Sequence, residues 1–133
     1  GASPYSDFTA RSWYPAGSCY GERVDVQGWF DAIVTASAAD GAPQFVDLFF
    51  PDMDTRQAYT ARFGGTSGAA PMVAATVAAF NGYWVQRTGG PLSPMELRAA
   101  LVSTGHPQTE DAQEHKIGPQ PDLRRILRIY GVR

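Results

Sequence analysis

At 133 residues the chain holds at most one domain with a modest core. A formal net charge of −2 and a charged fraction of 18% give no electrostatic pull toward nucleic acid or an anionic membrane, and the 44% hydrophobic content argues against wholesale disorder. Cys19 is the one cysteine, which excludes an internal disulfide or a cysteine metal site.

No N-terminal targeting signal is visible, and Gly1 to Tyr20, rich in Ser, Pro, Gly and aromatics, reads as a loop after a very short strand. The stretch RVDVQGWFDAIVTA alternates Val24 and Val26 with Asp25 and Gln27, then reaches Ile33 and Val34 after Gly28. It predicts two short strands around a bend. Ser37 to Ala58 carries Asp40, Asp47, Asp52 and Asp54 with the apolar knot FVDLFF, and reads as a long loop holding one edge strand. YTARF, Tyr59 to Phe63, is a strand with Tyr59, Ala61 and Phe63 on one face, ended by Gly64 and Gly65.

From Ser67 to about Gln86 nearly every residue is small or apolar, and Val73, Val77, Phe80 and Trp84 recur at helical spacing. Polar residues are scarce all round, so a buried helix is expected. Asn81 and Gly82 interrupt its apolar run, so no membrane span is expected. Pro71 falls near the first turn, where amide protons lack an acceptor. A second helix starts at Ser93 as N-cap, with Pro94 first and Glu96 closing a capping box, and stops at Gly105. TEDAQEHKIG reads as an exposed connection. A third helix, about Pro121 to Tyr130, presents Leu123, Ile126, Leu127 and Tyr130 and ends at Gly131.

The segment FGGTSGAAPMVAA joins a strand to a helix through glycines, with Ser67 at the first turn. Glycine there permits backbone angles that a side chain forbids. The helix start offers unpaired amides and positive potential, which would stabilise an oxyanion formed in acyl transfer. The same residues also suit a plain helix cap, because serine and threonine are favoured there. The local pattern leaves both readings open.

GGTSGAAPMVAA closely resembles the nucleophile motif of the subtilisin-like serine proteases, the subtilases. YSDFTARSWYPAGSCYGERVDVQGWFDAIVTA is similar to the segment ahead of that motif, LSPMELRAALVSTG to the helix after it, and IGPQPDLRRIL to the closing segment of some bacterial members. The resemblance covers nearly the whole chain in order. It implies an α/β fold, the C-terminal portion of a single subtilisin-like catalytic domain. That portion has a mostly parallel sheet flanked by helices and a buried helix after the nucleophile. It further implies Ser67 as nucleophile with its N–H as an oxyanion donor, Gly65 and Thr66 shaping the turn, and Pro71 in the supporting helix. A polypeptide substrate and an exported location follow from the same resemblance.

The sequence departs from the family pattern at the partners of that serine. A subtilase orders its triad Asp, His, Ser. Here His106 and His115 both follow Ser67, no aspartate matches the Asp motif, and Asn81 lies beyond the serine. The expectation is that Asp, His and the oxyanion Asn come from a missing or separate N-terminal part of the same protease, with a cleavage product still bound to that part preferred over a recombinant fragment. Two alternatives stand beside it. One is a non-catalytic scaffold or pseudo-protease. The other is an α/β-hydrolase-type esterase using His106 or His115, although its G-x-S-x-G elbow would need glycine where Ala69 stands. No organic cofactor is implied. Structural calcium at the four aspartates is weighed against an ordinary acidic loop, which is preferred because the spacing matches no EF-hand.

Overall fold

The computed structural model describes residues 18–36, 59–109 and 112–131. Strand β1, Ile33–Ala36, pairs antiparallel with β2, Tyr59–Phe63. The register sets Ile33 opposite Phe63, Thr35 opposite Thr60 and Ala36 opposite Tyr59, with an irregularity between Ile33 and Thr35. One extra residue on β2 bends the ribbon there. Ala32, immediately before β1, holds a φ of 53°, a conformation strained for a residue with a Cβ. After Gly64 and Gly65 the chain enters α1, Thr66–Thr88, followed by α2, Pro94–Thr104, and α3, Leu123–Tyr130. The molecule is a mixed helix and strand structure.

The core lies where the three helices meet. Phe80, Ala100, Leu101 and Ile126 are buried together, with Val77, Trp84, Leu97, Leu123, Leu127 and Tyr130 packed around them. Burying a side chain such as Phe80 contributes about 2–3 kcal/mol. Its ring meets Trp84 and Tyr130 edge-on at 6.3 and 5.9 Å between centroids. Asn81, polar in an apolar helix, turns its Oδ1 to accept the Leu92 N–H at 3.0 Å, which fixes the return from α1 to α2. The capping box of α2 forms as its sequence predicts. Ser93 N–H donates to Glu96 Oε2 at 2.7 Å and Glu96 N–H to Ser93 Oγ at 3.3 Å. Glycine ends α1 in a left-handed conformation at Gly89.

Several expectations are corrected. The strand pair among the described residues is antiparallel, whereas the resemblance implies parallel pairing for most of the sheet. Residues 24–28 form no strand. The Val24 N–H turns back to Gly21 O at 3.0 Å, and the Gln27 N–H donates to Pro119 O, in the connection before α3, at 3.0 Å. On β2 the buried side chain is Thr60, while Tyr59 and Phe63 stay 44% and 38% exposed. α1 is not buried within this chain. Its buried residues are Gly68 and Phe80, and Ala74, Ala75, Ala78 and Ala79 are exposed. The other helices cover only its Val77, Phe80 and Trp84 side. Pro71 sits in the second turn, because the helix starts at Thr66. There it removes the amide that would bond to the Ser67 carbonyl.

The connection before α3 is less exposed than its polarity predicts. Ile117 is 1% exposed and Gly118 buried. Gln108 accounts for this, accepting the Ile117 N–H at 2.9 Å and donating to His115 O at 3.0 Å. α3 is shorter than predicted because Asp122, not Pro121, supplies its cap. Expectations for residues 1–17 and for 37–58, including the edge strand, FVDLFF and the four aspartates, lie outside the described residues.

Candidate active site at the strand to helix turn

The turn from β2 into α1 is built by backbone that tolerates no side chain. Gly65, the N-cap of α1, has φ 87° and ψ 175°, a region essentially restricted to glycine. Its N–H donates to Phe30 O. A Cβ on Gly64 would stand 2.7 Å from the same carbonyl oxygen. One turn on, Gly68 is buried, and a Cβ there would collide with Ile33 Cδ1 and lie 3.3 Å from Phe63 Cε1. The register partners Ile33 and Phe63 therefore close over the first turn of the helix.

Between these glycines Thr66 and Ser67 are exposed. Among the described residues no hydrogen bond engages the Ser67 side chain, and no side chain caps α1. The plain cap reading of Ser67 thus fails, because Gly65 occupies the cap and Ser67 is the second helical residue. Gly68 and Ala69 already turn their amides to Gly65 O, at 3.0 and 3.3 Å. The amides of Thr66 and Ser67 precede the first helical acceptor and point out of the helix end. There is no acidic residue in this first turn to offset their positive potential. The arrangement can present an alcohol and donate to an anion at the same place.

A hollow of about 320 Å³ opens beside this turn, walled by Thr66, Ala69, Ala70 and Val73 of α1 and by Cys19, Val26 and Gly28 opposite. No histidine stands among its walls. His106 is engaged elsewhere. Its backbone bridges Gln120 through bonds of 2.7 and 2.8 Å, and its Nε2 lies 3.1 Å from Asp122 Oδ2. The other oxygen of Asp122 accepts the Arg125 N–H at 2.9 Å and caps α3. That bond, with the charges of His106 and Arg124 and against the cost of desolvation, holds the Asp122 carboxyl below the usual range. His115 meets the Tyr20 ring edge-on at 4.8 Å. Neither imidazole lines that hollow, and neither hydrogen-bonds Ser67.

The other charged contacts are structural. Arg98 grips Asp25 through two nitrogens, Nε at 2.7 Å from Oδ2 and Nη2 on Oδ1, and this pairing holds the Asp25 pKa down. Lys116 pairs with Glu22 at 2.7 Å on the surface. Cys19 is an exposed loop residue. No group of three or more His, Cys, Asp or Glu suited to a metal ion occurs among the described residues, and no helix among them is long and apolar enough to cross a membrane.

Two residues of this neighbourhood escaped the sequence reading. Gly28 was expected at a bend, yet a Cβ on it would stand 2.5 Å from Ala69 O, so it is a packing glycine beneath the first turn of α1. Asp31, beside Gly64, buries its Oδ1 without a hydrogen-bond partner among the described residues. Ala32, which follows it, holds a positive φ for which the sequence offers no signal.

Compared with known proteins, residues 16–119 match the model of the subtilase family. No curated protein and no solved structure matches the chain.

Proposed function

The chain belongs to the subtilase family, a family of serine peptidases, and from that premise we propose that it carries the nucleophile of a serine endopeptidase, Ser67. Its hydroxyl attacks the scissile carbonyl of a polypeptide substrate, and its N–H donates to the tetrahedral oxyanion. Gly65 and Thr66 shape the turn, and Pro71 belongs to the helix behind it. The observation that carries this reading is an exposed Ser67 at the second position of α1, without a side-chain hydrogen bond among the described residues, two positions after a Gly65 held at φ 87°.

An unassisted serine hydroxyl is a weak nucleophile and needs an adjacent base. His106 is committed to Asp122 and both histidines follow the serine, so this reading draws Asp, His and the second oxyanion donor, an Asn, from an N-terminal part of the same protease. That part is the chain's principal partner, and this chain is the C-terminal segment of one catalytic domain of subtilisin-like fold. Catalysis by this route calls for no organic cofactor. An extracytoplasmic location fits the family resemblance.

Labelling with a fluorophosphonate probe tests the proposal. In the intact protease the probe modifies Ser67, and Ser67→Ala abolishes both the adduct and peptide hydrolysis, lowering kcat by at least ~10³-fold. His106→Ala and His115→Ala retain hydrolysis. An unlabelled Ser67 in a folded, intact protease would leave a non-catalytic scaffold instead. Loss of hydrolysis in either histidine variant would favour the esterase arrangement.

A further inference from the structure

Residues 28–30 touch the turn on both sides of Ser67. On the upstream side Phe30 O accepts the Gly65 N–H and stands where a Cβ on Gly64 would be 2.7 Å away. On the downstream side the backbone of Gly28 lies against Ala69, close enough that a Cβ would come within 2.5 Å of Ala69 O and 3.0 Å of its Cα. Positions 65 and 69 are thus gripped by one three-residue saddle, with the serine between them.

The saddle has its own anchor. Gln27, which immediately precedes it, is 3% exposed, and among the described residues only Thr60 and Thr104 are polar and comparably buried. Its Nε2 donates to Gly118 O at 2.7 Å and its backbone N–H to Pro119 O at 3.0 Å. Gly118, at φ 74°, presses so closely on Asp25 that a Cβ there would collide with the Asp25 carbonyl. Asp25 in turn is clamped by Arg98 of α2. Segment 25–28 is therefore fastened to the connection before α3 and to α2, and its far end fits under the first turn of α1.

We infer that Gln27 is a positioning residue for the nucleophile turn: anchored to Gly118, it seats residues 28–30, which set the place of Ser67 and of its amide. This rests on the proposed role of Ser67. The physical argument is one of tolerance. Donors and nucleophile must hold their geometry to within about 0.5 Å, and a displacement near 1 Å can cost roughly 10²-fold in rate. Gln27 does not touch substrate in this scheme and acts only through the saddle.

The test uses the intact protease with three substitutions. Gln27→Met keeps the side-chain length and removes the donor. Gly28→Ala drives a methyl into Ala69 O. Ser93→Ala, at the cap of α2, is a stability control outside the site. The expected result is a roughly 10- to 100-fold lower kcat, with KM within about twofold and a matching fall in the rate of fluorophosphonate labelling, for both Gln27→Met and Gly28→Ala. Ser93→Ala lowers Tm and leaves kcat unchanged. If the wild type labels at Ser67 while the folded Gln27→Met and Gly28→Ala enzymes keep wild-type kcat and labelling rate, the positioning role is overturned and the nucleophile stands. If Ser93→Ala lowers kcat as much as they do for the same loss of Tm, the role is structural only, and the inference is again overturned. A wild type that does not label at Ser67 removes the underlying reading instead. Should one of the two site variants fail to fold, the other decides.

Discussion

Gly68 shows how little room the turn leaves. It is buried beneath Ile33 and Phe63, and the atom a Cβ would strike is the end of the Ile33 side chain. An isoleucine tip can shift more easily than backbone, so Gly68→Ala should cost about 1–3 kcal/mol rather than block folding. A lowered Tm with retained helical circular dichroism is the expected measurement. No change in Tm would mean that the strand pair does not press on α1. Gly65 is constrained differently, by its φ of 87° rather than by contact, since its nearest foreign atom is 4.0 Å from the Cβ position. The glycines flanking Ser67 were legible in the sequence because both lie in the motif. Gly28 was not, because its neighbour Ala69 is 41 positions away and no local pattern marks a long-range backbone contact.

At the scale of the elements, the caps carry the most definite expectations. Ser93 and Glu96 satisfy each other's amides at the start of α2. Ser93→Ala should therefore cost about 1 kcal/mol in a denaturant titration, with an unchanged slope. At the start of α3 the Asp122 carboxyl is held low, mainly by the Arg125 N–H. Asp25 and Glu96 are lowered as well, through hydrogen bonds with Arg98 and with Ser93. A depressed folded value means that the contribution is complete above the unfolded carboxylate value, near 4, and is lost as pH falls through the lower folded value. Tm should hold above pH about 5 on account of these groups and fall on acidification below about 4. Asp122→Ala should show a shallower acid decline than the wild type, and an equal slope would remove Asp122 from this account. The capping box was readable in sequence because it is local, three residues apart. The link from Asp122 to His106 was not, since it depends on the bridge between residues 106 and 120.

For the whole molecule, the telling feature is α1. Its Val77, Phe80 and Trp84 side packs on α2 and α3, while the alanine-rich side and Val85 remain exposed. A long apolar helix face without cover is an association surface. The chain by itself should self-associate in sedimentation velocity, and, on the proposed reading, addition of the proposed N-terminal part should replace those species with one defined complex in native mass spectrometry. A well-behaved monomer of this chain alone, stable at high concentration, would argue against a missing partner.

Local chemistry, read from the sequence by itself, determined β2 as Tyr59–Phe63, the cap of α2, the apolar face of α3 and the glycine-flanked Ser67. Each of these rests on residues within a few positions of one another, where propensity, periodicity and steric freedom act directly. Tertiary structure alone decided that 24–28 is a clamped segment rather than a strand, that Ile117 is buried through Gln108, and that neither histidine attends Ser67. Those outcomes follow from contacts between distant positions, chosen by which backbone groups find partners once the helices have packed. A hydrophobic pattern shows that α1 wants covering. Which of its sides this chain can cover is settled only by the number and placement of the elements that meet it.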